Sequence, residues 1–64
     1  MPEVLNREGI TKLTLVHTQA QLAHIFGISL PTYRAYMRGR EPREAITIFI
    51  NNKVHLMLNG DSQL

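Results

Sequence analysis

Four arginines stand close together near the middle of the chain, at Arg34, Arg38, Arg40 and Arg43, with one acidic residue, Glu41, among them. They are four of the seven basic residues in a chain whose formal net charge is only +2. A guanidinium group donates hydrogen bonds in a fixed fork that matches phosphate and guanine. The stretch therefore indicates a nucleic-acid surface, with an ordinary solvated face as the alternative.

Residues suited to catalysis or metal binding are scattered along the chain. The acidic residues are Glu3, Glu8, Glu41, Glu44 and Asp61, and the histidines are His17, His24 and His55. General acid–base catalysis needs positioned partners, and a metal site needs ligands at characteristic spacings. The sequence also lacks a glycine-rich phosphate loop. We therefore expect no catalytic residue, no metal ligand, no cofactor and no small-molecule ligand.

A chain of 64 residues is one small domain, residues 1–64, whose core is thin. Without cysteine, neither disulfides nor a thiolate zinc site stabilise it, which leaves oligomerisation. No apolar run approaches the length of a membrane span, and the first residues do not read as a signal peptide. We expect a soluble, cytoplasmic protein without a membrane partner.

The residues around the arginines predict two short helices. Thr18 and Gln21 form a Thr-x-x-Gln capping box at the start of the first helix, and Gly27 is suited to end it. Ser29 is a good N-cap for the second helix, and Gly39 is suited to close it. The sequence thus predicts helix, turn and helix over residues 18–38.

The apolar residues of this segment predict how the two helices meet. Ala23 is small enough to allow a steep crossing at close range. The wedge between the helices would be filled by Leu22, Phe26, Ile28, Tyr33 and Tyr36.

The pattern Ala23, Gly27, Ile28, Ser29, Tyr33 and Tyr36, followed by Arg-Gly, resembles the helix-turn-helix of phage Cro and of Cro/C1-type, Xre-like repressors. It covers about a third of the chain. In such repressors the exposed residues in the first turns of the second helix reach base edges. The base-reading residues that this implies are Ser29, Leu30, Pro31, Thr32, Arg34, Ala35 and Arg38. The phosphate contacts expected around them are Gln19, Gln21, Arg40, Arg43 and Lys53.

The segment 45–58 predicts a β-hairpin. Ile46, Ile48 and Ile50 alternate, and the aliphatic residues after the Asn-Asn-Lys turn alternate in the same way. A three-residue loop puts all six aliphatic side chains on one face. A helix over the same residues is the alternative, against which stand the Asn-Asn pair and a β-branched run.

The second strand of the hairpin is predicted to pair with its copy across a two-fold axis. The dimer interface would contain Val54, His55, Leu56, Met57 and Leu58. Nearer the N-terminus, we expect a short helix over about 11–16, with a strand as the alternative because Thr11, Thr14 and Val16 are β-branched, and an edge strand over 3–5.

Together these predictions describe an α+β fold, with three short helices and a C-terminal β-hairpin, or alternatively an all-α, five-helix Xre-like domain. The resemblance implies a phage repressor that binds a palindromic double-stranded DNA operator as a homodimer in a bacterial cell. Its recognition helices would lie about 34 Å apart. The alternatives are an all-helical regulator of antitoxin or excisionase type, and a protein-interaction module with an exposed strand edge.

Overall fold

The computed structural model describes residues 3–60, which fold into four helices. They are α1 (Arg7–Leu13), α2 (Gln19–Phe26), α3 (Leu30–Met37) and α4 (Glu44–Leu58). The long helix α4 packs against α1 and α2, and α2 packs against α3. The described part of the chain contains no strand, so the all-helical alternative fits and the α+β prediction is wrong.

One apolar core joins all four helices and the segment before α1. Its buried residues are Leu5, Ile10, Leu13, Leu22, Ala23, Phe26, Tyr33, Tyr36, Ile50 and Val54. Leu22 and Val54 are 0% exposed, so α2 and α4 meet at the centre of this core. The rings of Phe26 and Tyr33 stack with centroids 6.5 Å apart, which fixes α3 against α2.

The predicted helix-turn-helix is confirmed in its local details. Thr18 Oγ1 accepts a hydrogen bond from Gln21 N at 3.0 Å, and Gln21 Oε1 accepts one from Thr18 N at 2.9 Å. Gly27 ends α2 in the left-handed conformation with φ of 74°. Ser29 caps α3, and Gly39 follows it with φ of 123°. Each end thus uses the residue that the sequence predicted for it.

The β-hairpin prediction for 45–58 is wrong, because these residues form α4. Within α4, Ile50 and Val54 face the core, whereas Ile48 is 39% exposed. The alternation of isoleucines therefore does not define one buried face. The hydroxyl of Thr47, which is 1% exposed, donates to the carbonyl of Pro42 at 3.4 Å, so this β-branched polar residue is satisfied inside the helix.

Dimerisation through a second strand is also wrong. Val54 lies inside the core of its own chain and is not accessible to a partner. His55, Leu56 and Leu58 are exposed and Met57 is half-buried, but all four belong to a helix. The strand-edge interaction module loses its basis for the same reason.

Of the N-terminal predictions, the strand is wrong and the helix is wrong in its bounds. Residues 3–5 form no strand, and α1 spans Arg7–Leu13 instead of 11–16. Gly9 lies within α1. A Cβ atom at Gly9 would stand 2.7 Å from Val54 Cγ1, so glycine allows the close approach of α1 and α4.

Candidate nucleic-acid interface

The two buried tyrosines of α3 set the orientation of this helix. Tyr33 is 3% exposed and Tyr36 is 9% exposed, and both belong to the core. Because they occupy the inner side of α3, its outer side faces solvent. Of the seven predicted base-reading residues, Ser29, Pro31, Arg34 and Arg38 are exposed, and Leu30, Thr32 and Ala35 are half-buried.

Leu30 differs from the other members of this set, because it packs against the core. Thr32 is also engaged locally, since its Oγ1 accepts a hydrogen bond from Ser29 Oγ at 2.8 Å. Arg34 and Arg38 therefore provide most of the exposed hydrogen-bonding capacity of α3. Pro31 adds an exposed apolar surface at the start of the helix.

Arg34 is connected to the first helix of the motif. Its Nε donates to Gln19 Oε1 at 3.3 Å, which joins α3 to the first residue of α2. Gln19 is exposed, so this pair lies at the surface. Gln21 has a different role, because its amide oxygen accepts the Thr18 N–H in the capping box. Its amide NH₂ group is what remains to contact a phosphate.

A groove of about 410 Å³ runs beside the arginines of α3. It is lined by Thr11, Thr14, Gln19, Tyr33, Arg34, Met37 and Arg38. Burial raises the pKa of the Tyr33 hydroxyl above its ordinary value, so this group of the lining is neutral. The groove thus combines two guanidinium groups with hydroxyl and amide groups, which suits an oxyanion such as a phosphate.

The sequence predictions did not include Thr11 and Thr14 in a site. Both hydroxyls donate to carbonyls of the same segment, Thr11 to Arg7 O at 2.9 Å and Thr14 to Thr11 O. Their spacing of three residues would have placed them on one side of a helix. The predicted helix over 11–16 contained both residues, but no local pattern shows that they lie beside Arg34 and Arg38.

Glu41, the acidic residue within the arginine stretch, forms a salt bridge with a residue far away in the sequence. Glu41 Oε2 lies 2.7 Å from Arg7 Nη1, and this hydrogen bond holds the pKa of the Glu41 carboxyl below its ordinary value. Arg7 also donates to the carbonyls of Tyr36 at 2.7 Å and Arg40 at 2.9 Å. Arg7 therefore fixes the end of α3 and offsets the charge of Glu41.

The remaining predicted phosphate contacts lie on two different elements. Arg40 and Arg43 are exposed on the connection between α3 and α4. Lys53 lies on α4, where its ammonium group is 5.5 Å from the centroid of the Phe49 ring. Within residues 3–60, neither Arg34 nor Arg38 forms a salt bridge, so their charges are not offset at short range.

Among the described residues, no three histidine or carboxylate side chains form a group that would hold a metal ion. None of the helices in 3–60 has the length and apolar character needed to cross a bilayer. No family model, curated protein or solved structure matches the chain. The resemblance to Cro-type repressors accordingly stays a prediction based on the residues quoted for it.

Proposed function

We propose that this protein is a DNA-binding transcriptional regulator of the all-helical helix-turn-helix class. In this proposal α3 enters the major groove, and α2 lies across the backbone above it. The observation that carries the proposal is the exposed side of α3. Arg34 and Arg38 extend from it, while Tyr33 and Tyr36 anchor the opposite side in the core.

Arg34 is the residue that we assign to base reading. Its guanidinium can donate two parallel hydrogen bonds to the O6 and N7 atoms of guanine. The bond from Arg34 Nε to Gln19 orients the guanidinium and leaves its terminal nitrogens as donors. Arg38, one turn further along α3, is the second candidate. Pro31 offers an apolar contact to a thymine methyl group.

Phosphate contacts would flank this base-reading surface. Gln19 and Gln21 lie in the first turn of α2, where the backbone N–H groups and the helix dipole favour an anion. Arg40 and Arg43 would follow the backbone beyond the end of α3. Such contacts supply affinity without sequence preference, and they make binding sensitive to salt.

In the cytoplasm of a bacterial host, a protein bound over a promoter would repress transcription by excluding RNA polymerase. This role is what the resemblance to Cro-type repressors implies. An antitoxin or an excisionase would use the same DNA-binding surface, so the interface supports DNA binding more directly than repression.

The test begins with binding to random-sequence duplex DNA over a salt series, followed by selection of the preferred site from a random library. We expect affinity to fall steeply between about 50 and 200 mM salt, as for other proteins that neutralise several phosphates. A folded protein with no DNA affinity at the lowest salt would overturn the proposal.

Three variants then separate base reading from charge. Arg34→Ala should cost about 1–3 kcal/mol on the selected site and relax one base position. Arg34→Lys keeps the charge but loses the fork, so it should lose specificity while retaining binding to random DNA. Lys12→Ala removes one exposed cation from α1 outside the groove and is the matched control. Equal losses for Arg34→Ala and Lys12→Ala would show that Arg34 contributes only net charge.

A further inference from the structure

The side of α4 that faces away from the core is unusually apolar. Ile48, Phe49 and Leu56 are 39%, 46% and 45% exposed. With Ala45, Asn52, His55 and Asn59, which are also exposed, they form one continuous strip, which we call the outer face of α4. No Lys, Arg, Asp or Glu lies within the strip, and Glu44 and Lys53 stand at its border. A polar border around an apolar patch is typical of a protein-protein contact.

We propose that the outer face of α4 binds the same face of a second copy of this chain, with the two helices antiparallel. A symmetric dimer uses one patch twice, so the patch must complement itself. The order of residues along the outer face of α4 indicates that its partner is a second copy of the chain. Asn52 lies on the side of α4 opposite Ile50 and Val54, and the apolar residues are distributed on both sides of it.

A two-fold axis at Asn52 produces matching contacts. Ile48 and Leu56 are each four residues from Asn52, on opposite sides of it, and Phe49 and His55 are each three residues away. In an antiparallel pair Ile48 therefore meets Leu56 of the partner subunit, and the same contact is repeated on the other side of the axis. Phe49 meets the partner's His55 in the same way.

Asn52 stands where a single polar residue has a recognised use in paired helices. Its amide carries both donors and an acceptor, so two copies of it at the axis can hydrogen-bond to each other. A buried asparagine pair favours one register and one number of chains over the alternatives, at some cost in stability. This gives the polar residue at the centre of the strip a role in the pairing.

The contact is small. The helix is about 22 Å long, so a contact between two such helices lies at the low end of the areas that specific complexes bury. We therefore expect a dissociation constant of roughly micromolar order. Dimerisation of this kind does not depend on DNA binding, and it would supply the second recognition helix that a palindromic site requires.

Sedimentation of the full chain without DNA, from low micromolar to millimolar concentration, tests the proposal. The wild type should shift from monomer to dimer. Ile48→Lys and Leu56→Glu should each weaken dimerisation about tenfold or more, because each buries a charge against an apolar side chain. The double variant should recover dimerisation, since the introduced lysine would then face the glutamate introduced in the partner. Leu15→Glu, at an 85% exposed position before α2, is the control and should behave as wild type.

Circular dichroism on each variant would verify the fold, because both substituted positions face outward. A wild type that stays monomeric throughout, or dimers that tolerate both single substitutions, would overturn the proposal. Loss of dimers without recovery in the double variant would exclude the antiparallel arrangement. Dimers in a protein without DNA affinity would support this inference and refute the proposed function. A monomer that binds DNA would refute this inference and support the proposed function.

Discussion

The α2–α3 unit and α4 are stabilised by contacts of different range. At the ends of α2 and α3, caps join residues only a few positions apart, such as Thr18 with Gln21 and Ser29 with Thr32. In α4, the side chain of Asn51 bonds to the backbone of Val4 and Asn6, far away in sequence. The starts of α2 and α3 are thus locally specified, whereas α4 depends on the rest of the fold.

The α2–α3 unit and α4 therefore have different roles in the molecule. A unit fixed by its own caps can expose one side to a ligand, because its shape does not require contacts on that side. The helix α4 instead organises the core, since Ile50 and Val54 contribute two of the largest fully buried side chains. Three sets of substitutions test how far α4 and the other long-range contacts stabilise the fold.

The largest effect should separate two positions of α4 that a hairpin would have placed on one face. Val54→Glu puts a charge at a site with no exposed surface, and it should cost more than about 4 kcal/mol, enough to unfold a domain of this size. Leu56→Glu lies at a 45% exposed position and should change the free energy of unfolding of the monomer by less than about 0.5 kcal/mol. Urea denaturation at low protein concentration measures both.

Similar destabilisation by both substitutions would contradict the helical assignment of α4. It would mean that Val54 and Leu56 share a buried environment, as in the hairpin.

A smaller effect should distinguish the adjacent asparagines. Asn51 Nδ2 donates to Val4 O at 2.9 Å and to Glu3 Oε2 at 2.7 Å, and Asn51 Oδ1 accepts from Asn6 N at 2.8 Å. Asn51→Ala should cost about 1–2 kcal/mol, with part of the loss offset by the higher helix propensity of alanine.

Asn52→Ala, with an exposed side chain, is the matched control and should be neutral or slightly stabilising in the monomer. Thermal denaturation of both variants at low concentration measures the difference. Equal stabilities would show that the contacts of Asn51 do not hold the N-terminal segment.

The smallest effect concerns the contact between Arg7 and Glu41, which connects the start of α1 to the end of the arginine stretch. The hydrogen bond from Arg7 lowers the pKa of Glu41 in the folded state from its ordinary value of 4.5. Its contribution to stability is therefore present above pH 4.5 and is lost as the pH falls through the lowered folded pKa.

The measurement compares the wild type with Glu41→Gln in urea from acidic to neutral pH. The wild type should be more stable near neutral pH, and the two proteins should converge at the acidic end. A difference that does not change with pH would show that the charge of Glu41 has no role.

The same difference in range explains which features were predictable from the sequence. The caps of α2 and α3 and the inner position of the tyrosines depend on residues close together in the sequence. Residues 18–38 could therefore be assigned correctly to two helices and a turn. The alternation in Ile46, Ile48 and Ile50 fits a strand as well as a helix, and the asparagines suggested a turn. Asn51 is retained in mid-helix because of partners 45 and 47 residues away, which no local pattern reveals.

The candidate site likewise has a part that local sequence predicts and a part that only the packing of the helices shows. Arg34 and Arg38 could be assigned to an exposed side of α3, because Tyr33 and Tyr36 mark the inner side. The pairing of Arg34 with Gln19 and the contribution of Thr11 and Thr14 to the groove depend on how three helices pack. The salt bridge between Arg7 and Glu41 is likewise a contact between residues far apart in the sequence.

The most direct measurement is a map of backbone amide chemical shifts during titration with duplex DNA at low salt, for which a protein of this size is well suited. We expect the largest changes at residues 18–21 and 29–38, on the caps and exposed side of the α2–α3 unit. The outer face of α4 should change little at a fixed monomer-dimer ratio. Changes concentrated on α4, or none at concentrations where other helix-turn-helix proteins bind random DNA, would refute DNA binding by the α2–α3 unit.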